Sequence, residues 1–179
     1  MNDREDFLKD DEINSLFEQI KTLKEKLSLL FKQKFNRSLP FNELLFDRWE
    51  KAEQLGFGKG SSVYDSVIVF GEVKVAENTW IGPNVILDGT GGLEIGSNCS
   101  VGANSQLYTH DSVKWAISGG KAPYDYASTK IGNNVFIAPN VLIAKGVEIG
   151  DGCIIGANSF VNKSFPKGSK IAGNPAKEI

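Results

Sequence analysis

From Val63 to Val161 an aliphatic residue returns almost every six positions: Val63, Val69, Val75, Ile81 and Leu87, then Ile95, Val101 and Leu107, then Ile131, Ile137, Ile143, Ile149, Ile155 and Val161. Two places earlier runs a second comb of small or β-branched residues: Val67, Val73, Thr79, Val85, Cys99, Ser105, Val135, Val141, Val147, Cys153 and Ser159. No α-helix has a period of six, so each period is one short strand plus one corner, the pattern of a solenoid. Gly follows the aliphatic residue at Gly82, Gly96, Gly102, Gly132, Gly150 and Gly156, and Asn or Asp recurs just beyond, from Asn84 to Asn158. These residue types tolerate tight or left-handed backbone, so three hexads can close one triangular coil with the aliphatic side chains stacked inward.

The segment before the solenoid has a different rhythm. Ile13, Leu16, Ile20, Leu23, Leu27 and Leu30 alternate steps of three and four, a heptad-like seam on a helix of about 20 to 25 residues. Such a seam fits docking on the chain's own solenoid, a partner helix or another subunit. Pro40 interrupts the pattern, a second helix is expected from about Asn42 to Gln54, and GFGKG ends it. The reading is therefore a helical segment over 1–58, covering one end of the coil, and a β-helix over 59–179. If Phe7, Phe17 or Trp49 packs near the inserted loop described next, the helical segment also sets acceptor size.

The six-residue comb breaks twice. Asp88-Gly-Thr-Gly-Gly shifts it by two residues, consistent with an enlarged corner. A longer break, about 108–130, reads YTHDSVKWAISGGKAPYDYASTK and holds the chain's one histidine, His110, beside Trp115, Tyr124, Asp125 and Tyr126. Insertions in short-loop solenoids are common places for recognition groups. A neutral imidazole can take a hydroxyl proton near neutral pH, which makes His110 the candidate general base. Asp111 is too near in sequence to be taken as its orienting partner, and a backbone carbonyl would serve equally.

A net charge of −2 and the lack of a basic run interleaved with aromatics exclude a general affinity for nucleic acid. The opening MNDREDFLKDDE is acidic and polar, unlike a signal sequence, and no apolar run reaches the roughly 18 residues of a membrane span, so a cytoplasmic location is expected. Cys99 and Cys153 both fall on the inward comb, as core-packing thiols.

The repeats IGPNVI, IGSNCSVGANSQL, IGNNVFIAPNVLI and IGDGCIIGANSFV resemble those of the hexapeptide-repeat acyltransferases, nearest to sugar O-acetyltransferases of the galactoside and maltose type, over about residues 63–179. The resemblance implies an all-β solenoid, a left-handed parallel β-helix, an exception to the right-handed crossover rule. It implies transfer of an acetyl group from acetyl-CoA to a hydroxyl of a saccharide or nucleotide-sugar acceptor, as in polysaccharide biosynthesis. His110 matches the TH or GH step that precedes the family's loop. Asn84 or Asp88 would contact the acceptor, with Tyr108, Trp115, Tyr124 and Asp125 around it. Ala138, Pro139, Ala144, Ala157, Asn158, Asn162 and Lys163 would line the coenzyme channel. Lys177 stands among the lysines placed to meet its phosphates, although the tail reads AKEI where the family pattern carries arginines. A homotrimer with active sites between subunits is implied, and no metal is expected, since one histidine is too few for a three-histidine site. Two alternatives stay open: N-acetylation of a nucleotide-linked amino sugar, and a structural or regulatory repeat protein without transferase activity.

Overall fold

In a computed structural model, residues 11–179 are described; Phe7 lies outside them. The chain divides into two compact units, with the boundary between Asp47 and Arg48. The first holds helix α1 (Asp11–Phe35) and a short α2 (Phe41–Leu45). Asp11 and Glu12 in the first turn of α1, and Lys32 and Lys34 in its last, complement the helix dipole. Asn36, at φ 51, closes α1 as Arg37 N–H reaches back to Phe31 O at 3.3 Å. No side chain of α1 is buried, so its apolar seam is a surface of this unit.

The second helix anticipated from Asn42 to Gln54 is in fact two. Phe46 takes extended backbone (φ −108, ψ 135) and ends α2, and α3 (Arg48–Gln54) starts afresh in the second unit. There α3 lies against β1 (Ser62–Val63), with Ala52 and Phe57 joining the solenoid core. Lys51 Nζ donates to the carbonyls of Tyr64 at 3.2 Å and Asp65 at 2.5 Å, satisfying first-coil acceptors that have no preceding coil.

The solenoid has three faces. The first stacks β1, β3 (Trp80–Ile81), β5 (Ser100–Val101), β10 (Phe136–Ile137), β13 (Ile154–Ile155) and β15 (Lys170–Ala172), all parallel. Ser62 pairs with Trp80 and Phe136 with Ile154, a step of 18 residues, which is three hexads per coil. The second face stacks the start of β2 (Ile68–Val75) and of β4 (Ile86–Ile95) with β6 (Gln106–Leu107), β11 (Leu142–Ile143) and β14 (Phe160–Val161). The third stacks the ends of β2 and β4 with β9 (Thr129–Ile131) and β12 (Glu148–Ile149).

Inside, the aliphatic comb is buried from Val63 to Ile171, save for the partly buried Val69, and the corner asparagines 78, 84, 98, 104, 134, 140 and 158 all take left-handed φ of 55 to 60°. Polar residues of the second comb serve the backbone: Ser105 Oγ donates to Ala138 O at 3.1 Å and accepts Val141 N–H at 3.2 Å. Outside, the faces differ. The third carries a column of alternating charge, Lys74, Glu94, Lys130 and Glu148, paired in register. The first two expose apolar side chains, among them Phe136, Ile154 and Ile68. The terminal β16 (Lys177–Glu178) turns back antiparallel on β15 and covers that edge.

Candidate active site

Both breaks in the comb fall on one edge, between the second and third faces. Leu87, Leu107, Ile143 and Val161 are in register, so the residues after them, Asp88, Tyr108, Ala144 and Asn162, stand in one column. At the first break β2 and β4 slip by two residues between Gly71 and Val73, which makes the enlarged corner that Asp88-Gly-Thr-Gly-Gly anticipates. At the second, the chain leaves the coil after Thr109 and returns at Ala127, whose N–H bonds Thr109 O at 2.9 Å. The insertion between is ordered by a hairpin neck, β7 (His110–Asp111) antiparallel to β8 (Asp125–Tyr126), and by helix α4 (Val113–Ile117).

His110 is thus the first residue of the neck, directly above the enlarged corner. Its Nδ1 lies 2.6 Å from Asp88 Oδ2 and 3.0 Å from Thr90 Oγ1. The Thr90 hydroxyl donates to Asp88 Oδ1 at 2.6 Å and the Thr109 N–H to Oδ2 at 2.9 Å. Acceptors at Nδ1 assign its hydrogen there, which leaves the Nε2 lone pair available. Asp88 is fully buried. Burial alone would push its carboxyl up, but hydrogen bonds from Thr90, the Thr109 and Thr90 N–H groups and His110 outweigh it and hold the group at about 2. Both of its oxygens are engaged by these hydrogen bonds, which favour the carboxylate form. The structure sets Asp88, anticipated as an acceptor contact, with Oδ2 against His110 Nδ1, a place for which the sequence had suggested no side chain.

The rings of Tyr124 and Tyr126 stack near the imidazole, with centroids 6.0 and 5.7 Å away and planes inclined by 8° and 29°. Trp115, on α4, meets Tyr124 edge-on at 5.8 Å and stays partly exposed. Tyr108 directs its hydroxyl to Gln106 Oε1 at 3.0 Å. Asp125 does not present a free carboxylate for a sugar hydroxyl: Lys145 and Lys114 hold it at 2.7 and 3.0 Å and draw its carboxyl below the ordinary range. Asn84 is one of the left-handed corner asparagines and donates to Asn104 Oδ1 at 3.2 Å on a different edge, between the first and second faces. A corner role accounts for it.

The residues anticipated for the coenzyme fall into two columns. Ala144, Asn162 and Lys163 follow the second-face strands, on the edge that carries His110. Ala138, Pro139, Ala157 and Asn158 follow the first-face strands, on the edge of Asn84. Lys163 sits over the Phe165 ring at 5.2 Å, and Lys177 lies exposed on β16. Sequence reasoning missed Thr90, Thr109 and Lys145. Asp-Gly-Thr is a local turn signature, since Thr90 N–H bonds Asp88 Oδ1 at 3.1 Å. The other two become visible only by counting along the coil register.

Two family models match the chain: the bacterial transferase hexapeptide (six repeats) over residues 128–163, and the hexapeptide repeat of succinyl-transferase over 72–108. The molecule is a parallel β-solenoid, and its hexapeptide repeats fit a left-handed β-helix. Among solved structures it is similar to a hexapeptide-repeat-containing acetyltransferase from Vibrio cholerae, at 27% identity and a TM-score of 0.66 over 90% of this chain and 91% of that one. A galactoside acetyltransferase in complex with coenzyme A shares 27% identity at a TM-score of 0.66, over 89% of this chain and 80% of that one. A maltose O-acetyltransferase from Clostridium difficile 630 shares 28% identity at 0.56, over 97% and 89%. The resemblance to the hexapeptide-repeat acyltransferases read from the repeats over about residues 63–179 is thus supported by these matches. No helix among the described residues is long and apolar enough to cross a membrane.

Proposed function

We propose that the protein transfers the acetyl group of acetyl-CoA to a hydroxyl of a saccharide-type acceptor, with His110 as general base. The observation that carries this reading is the pair of His110 Nδ1 and the buried Asp88 carboxylate, 2.6 Å apart at the mouth of an aromatic insertion. Neither group is needed to build a coil, and together they direct the Nε2 lone pair outward. The acceptor hydroxyl donates its proton to Nε2 as its oxygen attacks the thioester carbonyl. Asp88 stabilises the imidazolium that forms, by a charge-assisted hydrogen bond. The tetrahedral intermediate then expels the coenzyme thiolate, which takes the proton back from the imidazolium, so the acetyl ester and free CoA leave a neutral histidine. The exposed rings of Trp115 and Tyr124 offer flat apolar contact to a sugar ring.

Support for the coenzyme comes from the galactoside acetyltransferase, solved with coenzyme A, and from small residues along both edge columns that let a pantetheine chain approach the backbone. Two separate columns on one prism suit a groove between subunits, one edge contributed by each. The two apolar outer faces are different surfaces, so a contact between them would be heterologous, the kind that makes a ring when its rotation closes. The number three comes from the family resemblance. Sedimentation equilibrium is expected to give the mass of three chains, and Phe136→Glu with Ile154→Glu to reduce it to one; a single-chain mass for the unaltered protein would overturn the shared groove. A cytoplasmic role in assembling a glycan suits the use of acetyl-CoA.

The test of the reaction is release of free CoA from acetyl-CoA across sugars, amino sugars and nucleotide sugars, with product mass recorded. An alkali-labile ester is the expected product. A stable amide would move the reading to N-transfer, and failure of the protein to bind acetyl-CoA would reject it.

A further inference from the structure

Asp111 and Asp125 face each other across the β7–β8 neck as a directly opposed pair. Like charges in that position repel and work against the pairing. Lys145 answers this from the next coil. It follows Ala144 at the corner where the insertion re-enters the solenoid, and its Nζ lies 3.1 Å from Asp111 Oδ2 and 2.7 Å from Asp125 Oδ2. Its side chain is only 20% exposed, and the next residue, Gly146 at φ +76, brings the corner against Ala127. The equivalent position one coil on is also a lysine, Lys163, but its ammonium lies over the Phe165 ring, 5.2 Å from the centroid, so what sets Lys145 apart is the pair of carboxylates it meets.

The consequence lies one residue away on each strand. His110 precedes Asp111, and Tyr124 and Tyr126 flank Asp125. Whatever fixes the two carboxylates also fixes the rings beside the imidazole. We propose that Lys145 is a positioning residue: by bridging Asp111 and Asp125 it locks the neck of the insertion to the solenoid, holds Tyr124 and Tyr126 beside His110, and so sets acceptor binding. The acceptor clause rests on the reaction proposed above; the locking does not. Lys145 touches neither reacting group, and Lys114, which shares Asp125 from within the insertion, cannot tie it to the body of the coil.

Lys145→Met keeps the bulk of the side chain and removes the charge. Trypsin cleavage at Lys114 and Lys121, both in the insertion, reads local opening without any acceptor. It is expected to accelerate about tenfold in Lys145→Met, a coupling typical of contacting pairs. Lys145→Arg should restore protection. Adding Asp111→Asn to Lys145→Met should restore much of it, because the repulsion is then gone while Asp125 keeps Lys114. Unchanged cleavage in Lys145→Met, with circular dichroism showing a folded solenoid, would overturn the lock. With an acceptor from the CoA-release panel, Lys145→Met is expected to raise the acceptor KM about tenfold and leave the acetyl-CoA KM alone. A faster-cut variant with an unaltered acceptor KM would overturn the acceptor clause. Absence of transfer by the unaltered protein, with cleavage still dependent on Lys145, would instead count against the reaction and leave the lock standing.

Discussion

Replacing His110 by Ala is expected to lower kcat about 10²- to 10⁴-fold, the usual contribution of a positioned general base, while acetyl-CoA binding is retained. The size follows from the geometry. A hydroxyl is a poor nucleophile until its proton leaves, and the surroundings of His110 are arranged around Nδ1 so that Nε2 can receive that proton. His110→Asn, which restores one polar group at the ring position, is expected to stay as slow as His110→Ala because an amide cannot accept the proton. Asp88→Asn should cost less than either, since an Asn side chain still occupies the site while presenting only one carbonyl oxygen where the carboxylate presents two. Its carboxyl, held at about 2, stays ionised at any pH well above that value. Titration of Asp88 is therefore not expected to limit kcat in the mildly acidic range, and a pH profile of kcat checks this. Full turnover by His110→Ala, with the ester still formed, would end the general-base reading and leave the histidine as a wedge between Asp88 and the tyrosines.

The solenoid was readable because its signal is repetitive: a six-residue comb names its own inward face, and each corner asparagine repeats the same left-handed requirement. An insertion was legible for the same reason, as a gap in the comb over about 108–130; the chain leaves the coil after Thr109 and returns at Ala127. The helical segment was less so. Residues 42–54 hold enough helix formers for one helix, and nothing in their spacing marks the extended backbone at Phe46 that splits it. Within the site, His110 stood out as the one histidine beside a break, but its partner did not. Asp88 lies 22 residues earlier, and only the coil register, which sets it beside Tyr108, brings it within reach of His110 two residues on. An acidic residue in an enlarged corner reads equally as an acceptor ligand and as a partner of the next coil. Burial separates the two, and burial at a corner depends on whether the following coil departs there, as it does at Thr109. Asp125 shows the same limit. Its carboxylate looks free until Lys145, 20 residues on, is wound beneath it.

Gly91→Ala is expected to abolish most activity while leaving the solenoid folded. A methyl group on Gly91 would overlap Thr109 O and lie 3.1 Å from Thr109 Cβ and 3.3 Å from Ala127 N. Those atoms close the base of the insertion: Thr109 O accepts the Ala127 N–H at 2.9 Å, and Thr109 Oγ1 accepts the Gly91 N–H at 2.8 Å while donating to Asp88 O at 2.8 Å. None is a flexible side-chain end, so relief requires the Thr109 backbone to move, and His110 is the next residue. A displacement of about 1 Å at a reacting group costs on the order of 10² in rate. Stability should fall by only about 1 to 3 kcal/mol, the range for overpacking one site, because a solenoid loses a local interface and keeps the others. Gly92→Ala separates clash from backbone strain. Gly92 is at φ +91 but has only Ser128 Cβ near, at 3.8 Å. Its substitution should therefore lower the urea midpoint with much of the turnover intact, the reverse of the balance at Gly91. Equal losses of stability and activity at both positions would mean that the enlarged corner supports the fold generally and has no particular hold on His110.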